Sequence, residues 1–587
     1  MARCSSYAVV FVFFLIVGLG LETAAAQPAS GDPVRADNGA VVSANSYASE
    51  AGLKMLEQGG NAIDASVAMG FALAVVEQRA GNIGGGGFLV YRDADGETTT
   101  IDHREKAPLA ATRDMYQDED GNVIPELSRE GHLASGVPGT VDGLLRALEE
   151  HGTLSREDVL APAIRLAEEG FTLRRDQAGA YNERRDDFKQ FPGTERYFTK
   201  PDGEKFEPGE RFVQSDLAEV LKRVRDDGRA GFYEGETADL IVEEMERGDG
   251  IITHEDLRNY ESAERAPIVS EYRGYRVFAM GPPSSGGTTL AQLLNAMEPH
   301  DLAEKGYASS ATTHLMGEAM RRAFADRARW LGDADFVDVP VDQIIHPDYM
   351  AERMQDFDPD RANTSEDIQY GDPWAFEGPE TTHYSAVDEE GNAVSVTTTI
   401  NASYGSGVVV DGAGFFMNNE MDDFSSKPGT PDMYGLVTGE ANAIEPEKRM
   451  LSSMTPTIVE NPDGELFMTI GAPGGSTIIT TVFQTILNAI DHEMDIQQAI
   501  AAPRVHHQWR PDSLFYENYA LSTDVVDALD ERGWNVKSGE ALWMGSTWGR
   551  AMGITVTDEP LWPGADETQR VIQAAPDPRA QGVALGF

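Results

Sequence analysis

Cysteine is almost missing from this chain, since Cys4 is the only one among its 587 residues. Cys4 falls within a segment that we expect to be removed, so the mature protein should contain no thiol. A chain without cysteine cannot form disulfides, bind zinc through thiolates or use a cysteine nucleophile. These three classes of chemistry are therefore excluded.

Residues 1–26 have the pattern of a signal peptide. Arg3 gives the positive start, residues 7–21 form a short apolar run, and residues 24–26 are three alanines typical of a cleavage site. The alternative, a membrane anchor, needs about 18 to 20 consecutive apolar residues, and Glu22 ends the run. We therefore predict cleavage after Ala26 and a periplasmic or secreted protein that is no longer bound to a membrane.

Positive charge is scarce. The chain has 47 Lys and Arg against 98 Asp and Glu, a formal net charge of −51 at pH 7, and only 10 of the basic residues are lysines. This sign disfavours nucleic acids as partners. Because so many acids repel one another unless salt screens them, we hypothesise a salt-adapted surface. The alternative is an ordinary acidic exported protein, which would lose activity in molar salt.

Several catalytic motifs are missing as well. The sequence has no Gly-x-Ser-x-Gly elbow, and His254-Glu255 lacks the second histidine of a zinc-protease motif. The glycines at 84–87 are not followed by Gly-Lys-Ser/Thr, so we expect close backbone packing there rather than phosphate binding. His506 and His507 would point to opposite faces of a strand, which favours a structural role. We expect neither a metal nor an organic cofactor.

The chain does contain alternating signals for helices and hairpins. Its 41% hydrophobic content suffices for a large core. Apolar spacing and turn residues predict helices at 46–77, broken at 59–60, and at 476–491, mostly helix at 131–350 with a break at 281–287, and hairpins at 81–105, 383–401 and 455–475. Hairpins in both halves of the chain, with helices beside them, favour a sandwich of two sheets covered by helices.

A polar segment at about 355–380 gives way abruptly to Thr381 and Thr382, where a predicted strand begins. The segment is rich in Asp, Glu, Pro, Asn and Ser and can hardly bury itself, so we predict that it is flexible. A threonine hydroxyl is a weak nucleophile that its own free α-amino group can activate. Cleavage of the Glu380–Thr381 bond would create that amine. Composition alone, however, favours two ordinary strand-forming threonines.

Specific motifs overturn that simpler interpretation. They resemble, in order and over nearly the whole mature chain, the motifs of the γ-glutamyltranspeptidase family of N-terminal-nucleophile hydrolases: GGNAIDASVA, GGGGF, DHRE, ASGVPGTVDG, PPSSGG, TTHYSAVD, NNEMDDFSSKPGTPDMYGLV, LSSMTPTIV, GAPGGSTIITT and APRVHHQW. The resemblance implies an α+β fold, a four-layer αββα sandwich. It also implies a precursor that cuts itself before Thr381 into a large subunit, 27–380, and a small catalytic subunit, 381–587, which remain together as a heterodimer.

The resemblance further implies roles near the cleavage point. Thr381 resembles the nucleophile whose Oγ1 attacks the γ-amide carbonyl while its α-amine moves the proton. Thr399 resembles the second threonine, whose hydroxyl is held near the nucleophile. The N–H groups of Gly474 and Gly475 match the donors to the oxyanion, and their place directly before a predicted helix agrees, because free N–H groups converge there.

On the carboxylate side of the substrate, Arg104, Ser452 and Ser453 match the residues of the family that bind the α-carboxylate of the glutamyl group. A carboxylate requires cations and hydroxyls, as these residue types provide. Each of the three alone would also suit an ordinary surface ion pair or turn, so their assignment follows from the resemblance.

On the ammonium side, Asn401, Glu420 and Asp423 match the family's binding residues. Many bacterial members carry glutamine where this chain has Glu420; the added charge could tighten ammonium binding, although desolvation opposes that gain. Residues 427–440 resemble a lid loop over the glutamyl pocket that only some members possess. Tyr434 would be its gate, in contact with Asn401.

The sequence therefore predicts an exported γ-glutamyl hydrolase and transpeptidase that acts on glutathione and related γ-glutamyl compounds, with water, an amino acid or a peptide as acceptor. Two alternatives stay open. A related acylase would cut a glutaryl or cephalosporin side chain, but such a substrate has no ammonium for the acidic residues to bind. An inactive binding or scaffold protein of the same fold would never cleave itself.

Overall fold

The structure is a computed structural model of the chain and describes residues 31–371, 382–437, 439–539, 548–561, 565 and 567–587. The strands are β1 (Val34–Ala36), β2 (Ala40–Ser43), β3 (Gly86–Arg92), β4 (Thr98–Asp102), β5 (Phe171–Thr172), β6 (Arg211–Phe212), β7 (Ala263–Arg265), β8 (Ile268–Tyr272), β9 (Tyr275–Ala279), β10 (Thr382–Val387), β11 (Ala393–Thr399), β12 (Thr457–Glu460), β13 (Leu466–Gly471), β14 (Val505–His506), β15 (Leu514–Tyr516), β16 (Val536–Ser538), β17 (Met552–Pro560), β18 (Thr568–Pro576) and β19 (Val583–Gly586). The predicted signal peptide and Thr381 lie outside the described residues.

The helices are α1 (Ser46–Glu57), α2 (Ala62–Val76), α3 (Glu126–Arg129), α4 (Thr140–His151), α5 (Arg156–Glu169), α6 (Arg175–Glu183), α7 (Arg185–Phe188), α8 (Pro192–Phe198), α9 (Ser215–Asp227), α10 (Ala230–Tyr233), α11 (Gly235–Arg247), α12 (His254–Asn259), α13 (Gly286–Met297), α14 (Leu302–Lys305), α15 (Ser310–Trp330), α16 (Val341–Ile344), α17 (Pro347–Arg353), α18 (Thr477–Ile490), α19 (Ile496–Ala501) and α20 (Thr523–Glu531). Short 3₁₀ turns lie at His132–Ala134, Glu420–Asp423 and Glu440–Asn442. Within the described ranges, no helix has both the length and the hydrophobicity needed to cross a membrane.

Two antiparallel seven-stranded sheets form the centre of the molecule. The first has the order β19-β2-β10-β11-β3-β4-β7 and the second β1-β18-β17-β13-β12-β9-β8. Their facing sides share an apolar cluster that includes Val42 and Val90 from the first sheet and Ile458 and Ile554 from the second. Alternating strand residues thus bury one side of each sheet against the other.

Helices cover the outer faces of both sheets. Apolar residues of α1, α2 and α4 pack on the first sheet, with α5 behind them on α2. Those of α13, α18 and α19 pack on the second, with α15 against α13. Every residue of α2 is buried, as a helix that is apolar on all sides requires. The four layers run helix, sheet, sheet, helix, so the predicted αββα sandwich is confirmed.

The parts of the chain before and after position 381 share both sheets. In the first sheet β2 lies between β19 and β10, and β11 pairs with β3 from Ala393–Arg92 to Thr399–Gly86. In the second sheet β1 pairs with β18 and β9 pairs with β12. Strands of one part therefore complete the backbone hydrogen bonding of strands of the other part.

The three predicted hairpins are present as β3–β4, β10–β11 and β12–β13. The prediction missed β7, β8 and β9, which lie within the region expected to be mostly helical. The turn between β8 and β9 consists of Arg273 and Gly274, both with positive φ. Because such a turn usually contains Asn-Gly or Asp-Gly, an Arg-Gly pair gave a weak hairpin signal.

The glycines at 84–87 lie against neighbouring backbone, as predicted. A Cβ atom on Gly85 would lie 2.0 Å from the Thr399 carbonyl oxygen, and one on Gly87 would lie 2.4 Å from that of Thr397. Any larger residue would push β3 away from β11. The glycines therefore keep β11 in place where Thr399 ends it.

Residues 355–371, the first part of the segment predicted to be flexible, lie along the body of the protein. Ser365 Oγ donates to the Trp509 carbonyl at 2.5 Å, and Trp509 Nε1 donates to the Ile368 carbonyl at 2.9 Å. The Gly371 N–H donates to Asp326 Oδ1 at 2.6 Å. Composition gave no sign of these anchors because their partners are distant in sequence. Residues 372–380 lie outside the described residues, and their flexibility remains a prediction.

A buried ion-pair cluster on α15 also holds this segment. Glu318 pairs with Arg321 and Arg322, one turn away on the same helix, and all three side chains are buried. Glu318 Oε1 also accepts from the Asn363 N–H at 3.0 Å. Arg321 also pairs with Asp512 and Arg322 with Asp356, so Glu318 is the carboxylate that the two arginines share.

We predict that Glu318→Ala lowers the free energy of unfolding by about 1 to 3 kcal/mol, because it removes the buried carboxylate that two arginines share and leaves each with one aspartate partner, Asp512 or Asp356. The measurement is urea-induced unfolding followed by fluorescence, with limited proteolysis to test for faster cutting within 355–371. Glu304→Ala, at an exposed position on α14, is the control and should leave both unchanged. An unfolding midpoint in Glu318→Ala equal to that of the wild type would contradict the prediction.

Candidate active site

The ends of β10 and β11 meet at the predicted cleavage point. Thr381 itself lies outside the described residues, while β10 begins at Thr382, whose partner across the ladder is Thr398. Thr399 ends β11; it is buried, and its hydroxyl oxygen accepts from the Asn401 N–H at 2.7 Å. Antiparallel pairing therefore places Thr399 beside the start of β10.

Asn401 connects this strand end to the loop predicted to be a lid. Its backbone is left-handed, with a φ of 66°, which turns the chain sharply after β11. Its Nδ2 donates to the Asn419 carbonyl at 3.0 Å, and its Oδ1 accepts from the Tyr434 hydroxyl at 2.8 Å. The contact expected between Tyr434 and Asn401 is therefore present, whereas a gating role for Tyr434 remains a prediction.

Two carboxylates shape the loop around Tyr434. Asp432 Oδ1 accepts from the Tyr434 N–H at 2.7 Å, and Asp422 Oδ2 accepts from the Met433 N–H at 3.2 Å. Asp422 Oδ1 also accepts from the Ser128 hydroxyl at 2.5 Å. Burial, together with the nearby charge of Asp422, raises the pKa of Asp432 to about 7. The loop is thus held on α3 through Asp422 and folded at its tip by Asp432.

Arg104 lies at the centre of the predicted glutamyl site and is completely buried. Its guanidinium forms ion pairs with Glu420 and Asp423. It also donates through Nε to the Met450 carbonyl at 3.2 Å and through Nη2 to the Leu451 carbonyl at 3.0 Å. Burial alone would lower the pKa of Arg104, but the charges of Glu420 and Asp423 outweigh it and raise that pKa.

A third buried carboxyl group adjoins this cluster. Glu105 Oε2 lies 3.5 Å from Arg104 Nη1. Neither oxygen of Glu105, nor Glu420 Oε2, nor Asp423 Oδ1, makes a hydrogen bond to the described residues. Burial raises the pKa of Glu420 to about 7, and burial raises the pKa values of Glu105 and Asp423 well above their ordinary range. Three carboxyl groups thus surround one guanidinium, and their remaining oxygens suit a further cation with hydrogen-bond donors.

The two predicted serines lie on the segment that follows the carbonyls bound by Arg104. The Ser452 N–H donates to the Pro283 carbonyl at 2.9 Å, and the Ser285 N–H donates to the Ser452 carbonyl at 2.7 Å. The PPSSGG and LSSMTPTIV motifs are therefore paired backbone to backbone. Arg327 donates through Nη2 to Ser453 Oγ at 2.6 Å.

Gly474 and Gly475 form the turn before α18. Their φ values are 139° and 58°, in the region that favours glycine. Their carbonyls accept from the N–H groups of Thr477 and Ile478, both at 3.1 Å, and so belong to the first turn of the helix. The N–H groups of this turn therefore lie at the positive end of a 14-residue helix. Such a turn can bind an oxyanion.

The same turn adjoins β10 through its preceding strand. A Cβ atom on Gly471, which ends β13, would lie 2.5 Å from His383 Nδ1. His383 is completely buried and bonds to the hydroxyls of Thr397 and Ser385. Burial lowers the pKa of His383 to about 3, so this imidazole is neutral at physiological pH.

Sequence reasoning did not identify several side chains that the fold places beside the predicted site residues. Glu105 had a signal, because it directly follows Arg104 in the DHRE motif. Asp422 and Asp432 had a similar signal, because both lie within the NNEMDDFSSKPGTPDMYGLV motif, but Arg327 had none, since it is one of several arginines on α15.

Known proteins share this arrangement of sequence and fold. Residues 48–587 match the profile of the family described as gamma-glutamyltranspeptidase. The glutathione hydrolase proenzyme of Pseudomonas sp. (strain A14) is 49% identical over 505 residues, 86% of this chain and 88% of that protein. The glutathione hydrolase proenzyme of Escherichia coli (strain K12) is 45% identical over 523 residues, 88% of each.

A solved structure extends the comparison to the whole fold. The cephalosporin acylase from Bacillus halodurans superposes with a TM-score of 0.82 and 26% identity, over 96% of this chain and 98% of that one. The family match and the identities of the relatives confirm the resemblance recognised from the motifs. The chain belongs to the γ-glutamyltranspeptidase family.

Proposed function

We propose that this protein is a γ-glutamyl hydrolase and transpeptidase that cleaves itself before Thr381. It then transfers the γ-glutamyl group of glutathione and related compounds to water, an amino acid or a peptide. The main support is the set of three buried carboxyl groups around Arg104, next to Ser452 and Ser453. The carboxyl groups suit an α-ammonium, and the arginine and the serine hydroxyls suit the adjacent α-carboxylate. Relatives named glutathione hydrolase proenzymes support both the substrate and the self-cleavage.

The chemistry follows from the chain's own groups. The α-amine of Thr381 takes the proton from Oγ1, which attacks the γ-carbonyl of the substrate. The N–H groups of Gly474 and Gly475 stabilise the oxyanion. The protonated amine then passes its proton to the leaving nitrogen, which leaves a γ-glutamyl ester on Thr381. Water or an acceptor amine attacks this ester and regenerates the hydroxyl. Thr399 holds the nucleophile in position.

The two charged groups at the α-carbon of the substrate bind on different sides of the site. The ammonium donates to the oxygens of Glu420 and Asp423 that face away from Arg104, and Asn401 contributes its amide oxygen. The carboxylate accepts from Arg104 and from the hydroxyls of Ser452 and Ser453. Tyr434 closes over the bound group through Asn401. Each charged group of the substrate thus exchanges its bound water for a partner of opposite charge in a buried site.

An acylase acting on glutaryl or cephalosporin side chains is less favoured. A glutaryl group carries no ammonium, so Glu105, Glu420 and Asp423 would keep their excess of buried carboxyl groups when it binds. That cost opposes binding of such a substrate. The structural likeness to a cephalosporin acylase therefore supports a shared fold rather than a shared substrate.

We also propose how the protein is assembled and where it is located. Cleavage yields a large subunit, 27–380, and a small subunit, 381–587, that stay associated through the shared sheets. The signal peptide directs the chain to the periplasm or the exterior. No organic cofactor or metal takes part in the steps described above.

The first test is the intact mass of the denatured protein. We predict two wild-type fragments, 27–380 and 381–587, and a single uncut chain for Thr381→Ala, because that variant lacks the attacking hydroxyl. Thr382→Ala is the matched control and should still split at the same bond. A wild type that stays uncut and releases no p-nitroaniline from γ-glutamyl-p-nitroanilide would instead support the inactive scaffold.

Glu420 should make substrate affinity dependent on pH. Its raised pKa of about 7 means that Glu420 gains its charge as the pH rises through that value. Because the substrate ammonium keeps its proton over this range, we predict that KM falls from about pH 5.5 to about pH 7.5. Glu420→Gln should raise KM about 10-fold or more, from the loss of a charged hydrogen bond, and flatten this dependence. A KM profile that keeps its slope in Glu420→Gln would assign the titration to another group.

The salt-adapted surface also remains a prediction. If it is correct, kcat/KM for γ-glutamyl-p-nitroanilide and the thermal midpoint should both rise as NaCl is increased to about 1 M, because salt screens the acidic surface. The same series in potassium chloride controls for a specific effect of sodium. Activity that is highest without added salt would favour the ordinary acidic exported protein.

A further inference from the structure

The first turn of α18 begins beside a buried hydroxyl group that forms no hydrogen bond. Ser476 directly follows Gly474 and Gly475, the proposed donors to the oxyanion, and its side chain is completely buried. Its Oγ has no hydrogen-bond partner among the residues that the structure describes. Because an unpaired buried hydroxyl costs free energy, this position calls for a partner that binds there.

The helix itself does not use this hydroxyl. A serine that caps a helix has an extended backbone, but Ser476 is already helical, with a φ of −56° and a ψ of −24°, and its side chain makes no capping bond. Nearby hydroxyls of α18 bond back to carbonyls in the preceding turn: Thr477 Oγ1 donates to the Gly474 carbonyl at 2.7 Å, and Thr480 Oγ1 donates to the Thr477 carbonyl at 3.1 Å. Ser476 differs from them because its hydrogen is not used in this way.

Helix geometry directs this hydroxyl towards the proposed oxyanion site. Each Cα–Cβ bond of an α-helix tilts towards the N-terminus, so a side chain at the start of α18 leans towards the end where the N–H groups of Gly474 and Gly475 lie. That end adjoins the nucleophile through β13 and β10. Gly471, the last residue of β13, lies against His383, and His383 is two residues after Thr381.

The surroundings of the turn suit a negative charge that develops during a reaction. α18 has no acidic residue in its first turn, although the chain contains 98 Asp and Glu. No carboxylate of the helix itself therefore neutralises its positive end. The backbone of Gly549 closes one side of the turn, since a Cβ atom on Gly474 would lie 2.7 Å from Gly549 Cα. A hydrogen bond in such a buried place is stronger than the same bond in water.

We propose that Ser476 is a catalytic residue whose hydroxyl donates to the oxyanion, together with the N–H groups of Gly474 and Gly475. This inference rests on the proposed function. When Thr381 Oγ1 attacks the γ-carbonyl, the carbonyl oxygen becomes negative and accepts the Ser476 hydrogen. The same bond forms when water or an amine attacks the ester. The hydroxyl keeps its proton throughout, and no covalent bond to Ser476 forms or breaks. Because the charge exists only at the tetrahedral stage, the bond should accelerate turnover more than it tightens substrate binding.

The variant Ser476→Ala tests this role. We expect kcat for γ-glutamyl-p-nitroanilide to fall about 100-fold, the effect of one lost oxyanion donor, while KM changes little. The kcat is calculated per split molecule, from the split fraction in intact-mass spectra. Because the variant also removes an unpaired buried hydroxyl, its thermal midpoint should equal or exceed that of the wild type. A hydroxyl that only stabilised the fold would lower the midpoint when removed.

Two inhibitors separate binding of the tetrahedral stage from binding of the substrate. The γ-boronic acid analogue of glutamate forms a tetrahedral, negatively charged adduct with the hydroxyl of Thr381, whereas L-glutamate binds without a covalent bond. Ser476→Ala should weaken inhibition by the boronic acid about 100-fold and inhibition by L-glutamate little. Equal weakening of the two inhibitors, or an unchanged kcat in a split variant, would overturn the proposal.

Ser66→Ala is the matched control. Ser66 also has a completely buried hydroxyl without a partner among the described residues, but it lies on α2, which covers the outer face of the first sheet. This variant should keep the kcat and the inhibition constants of the wild type.

The remaining outcomes also decide the question. A Ser476→Ala chain that folds but stays uncut would assign Ser476 to self-cleavage and overturn the proposal. Failure of that chain to fold, while Ser66→Ala folds, would assign Ser476 a structural role and overturn it as well. A wild type that releases no p-nitroaniline would refute the proposed function itself, whereas an active wild type with an unaffected Ser476→Ala variant would refute this inference alone.

Discussion

The arrangement of the proposed site depends on one buried interaction, the ion pairs that join Arg104 to Glu420 and Asp423. They connect the end of β4 with the 3₁₀ turn at Glu420–Asp423, and the further bonds of Arg104 to backbone carbonyls add the Met450–Leu451 segment. Removing charges from water is costly unless their partners are well placed. Three distant parts of the chain must therefore meet correctly before this arginine can be buried at all.

The same ion pairs do not satisfy every buried polar group of the proposed site. Glu105 adds a third buried carboxyl group, and several carboxyl oxygens lack hydrogen bonds to the described residues. On the other side, the proposed site binds the substrate carboxylate through Arg104 and the serine pair. In this proposal a molecule with adjacent ammonium and carboxylate groups satisfies both sides, whereas one that lacks the ammonium leaves buried carboxyl groups without a partner. Discrimination of this kind is stronger than any that apolar contacts provide, because an unpaired buried charge costs more than a lost methylene.

The sequence predicted the layers of the fold better than the connections within the site. Hairpins with Gly and Asn turns were visible from local pattern, while the Arg273-Gly274 turn was not, because its residues are atypical of hairpins. The residues of the glutamyl site came only from the resemblance of their motifs. Local sequence could not pair Arg104 with Glu420, which is more than 300 positions away, or single out Arg327 from the other arginines of α15. Such contacts depend on the packing of α15 and on the path of the chain between the sheets, and neither has a local signature.

The interleaving of strands from both parts of the chain has a consequence for the two-fragment product. β2 lies between two strands of the later part, and the N–H groups of Asp37 and Asn38 bind the carbonyl of Phe587, the last residue. Separation of the fragments would break the strand pairing within both sheets, so dilution alone should not separate them. Once unfolded, however, the fragments must find each other again by diffusion, whereas the uncut precursor folds within a single molecule. Maturation would thus make folding a step that the chain completes only once, and the lifetime of the mature protein would depend on how slowly it unfolds.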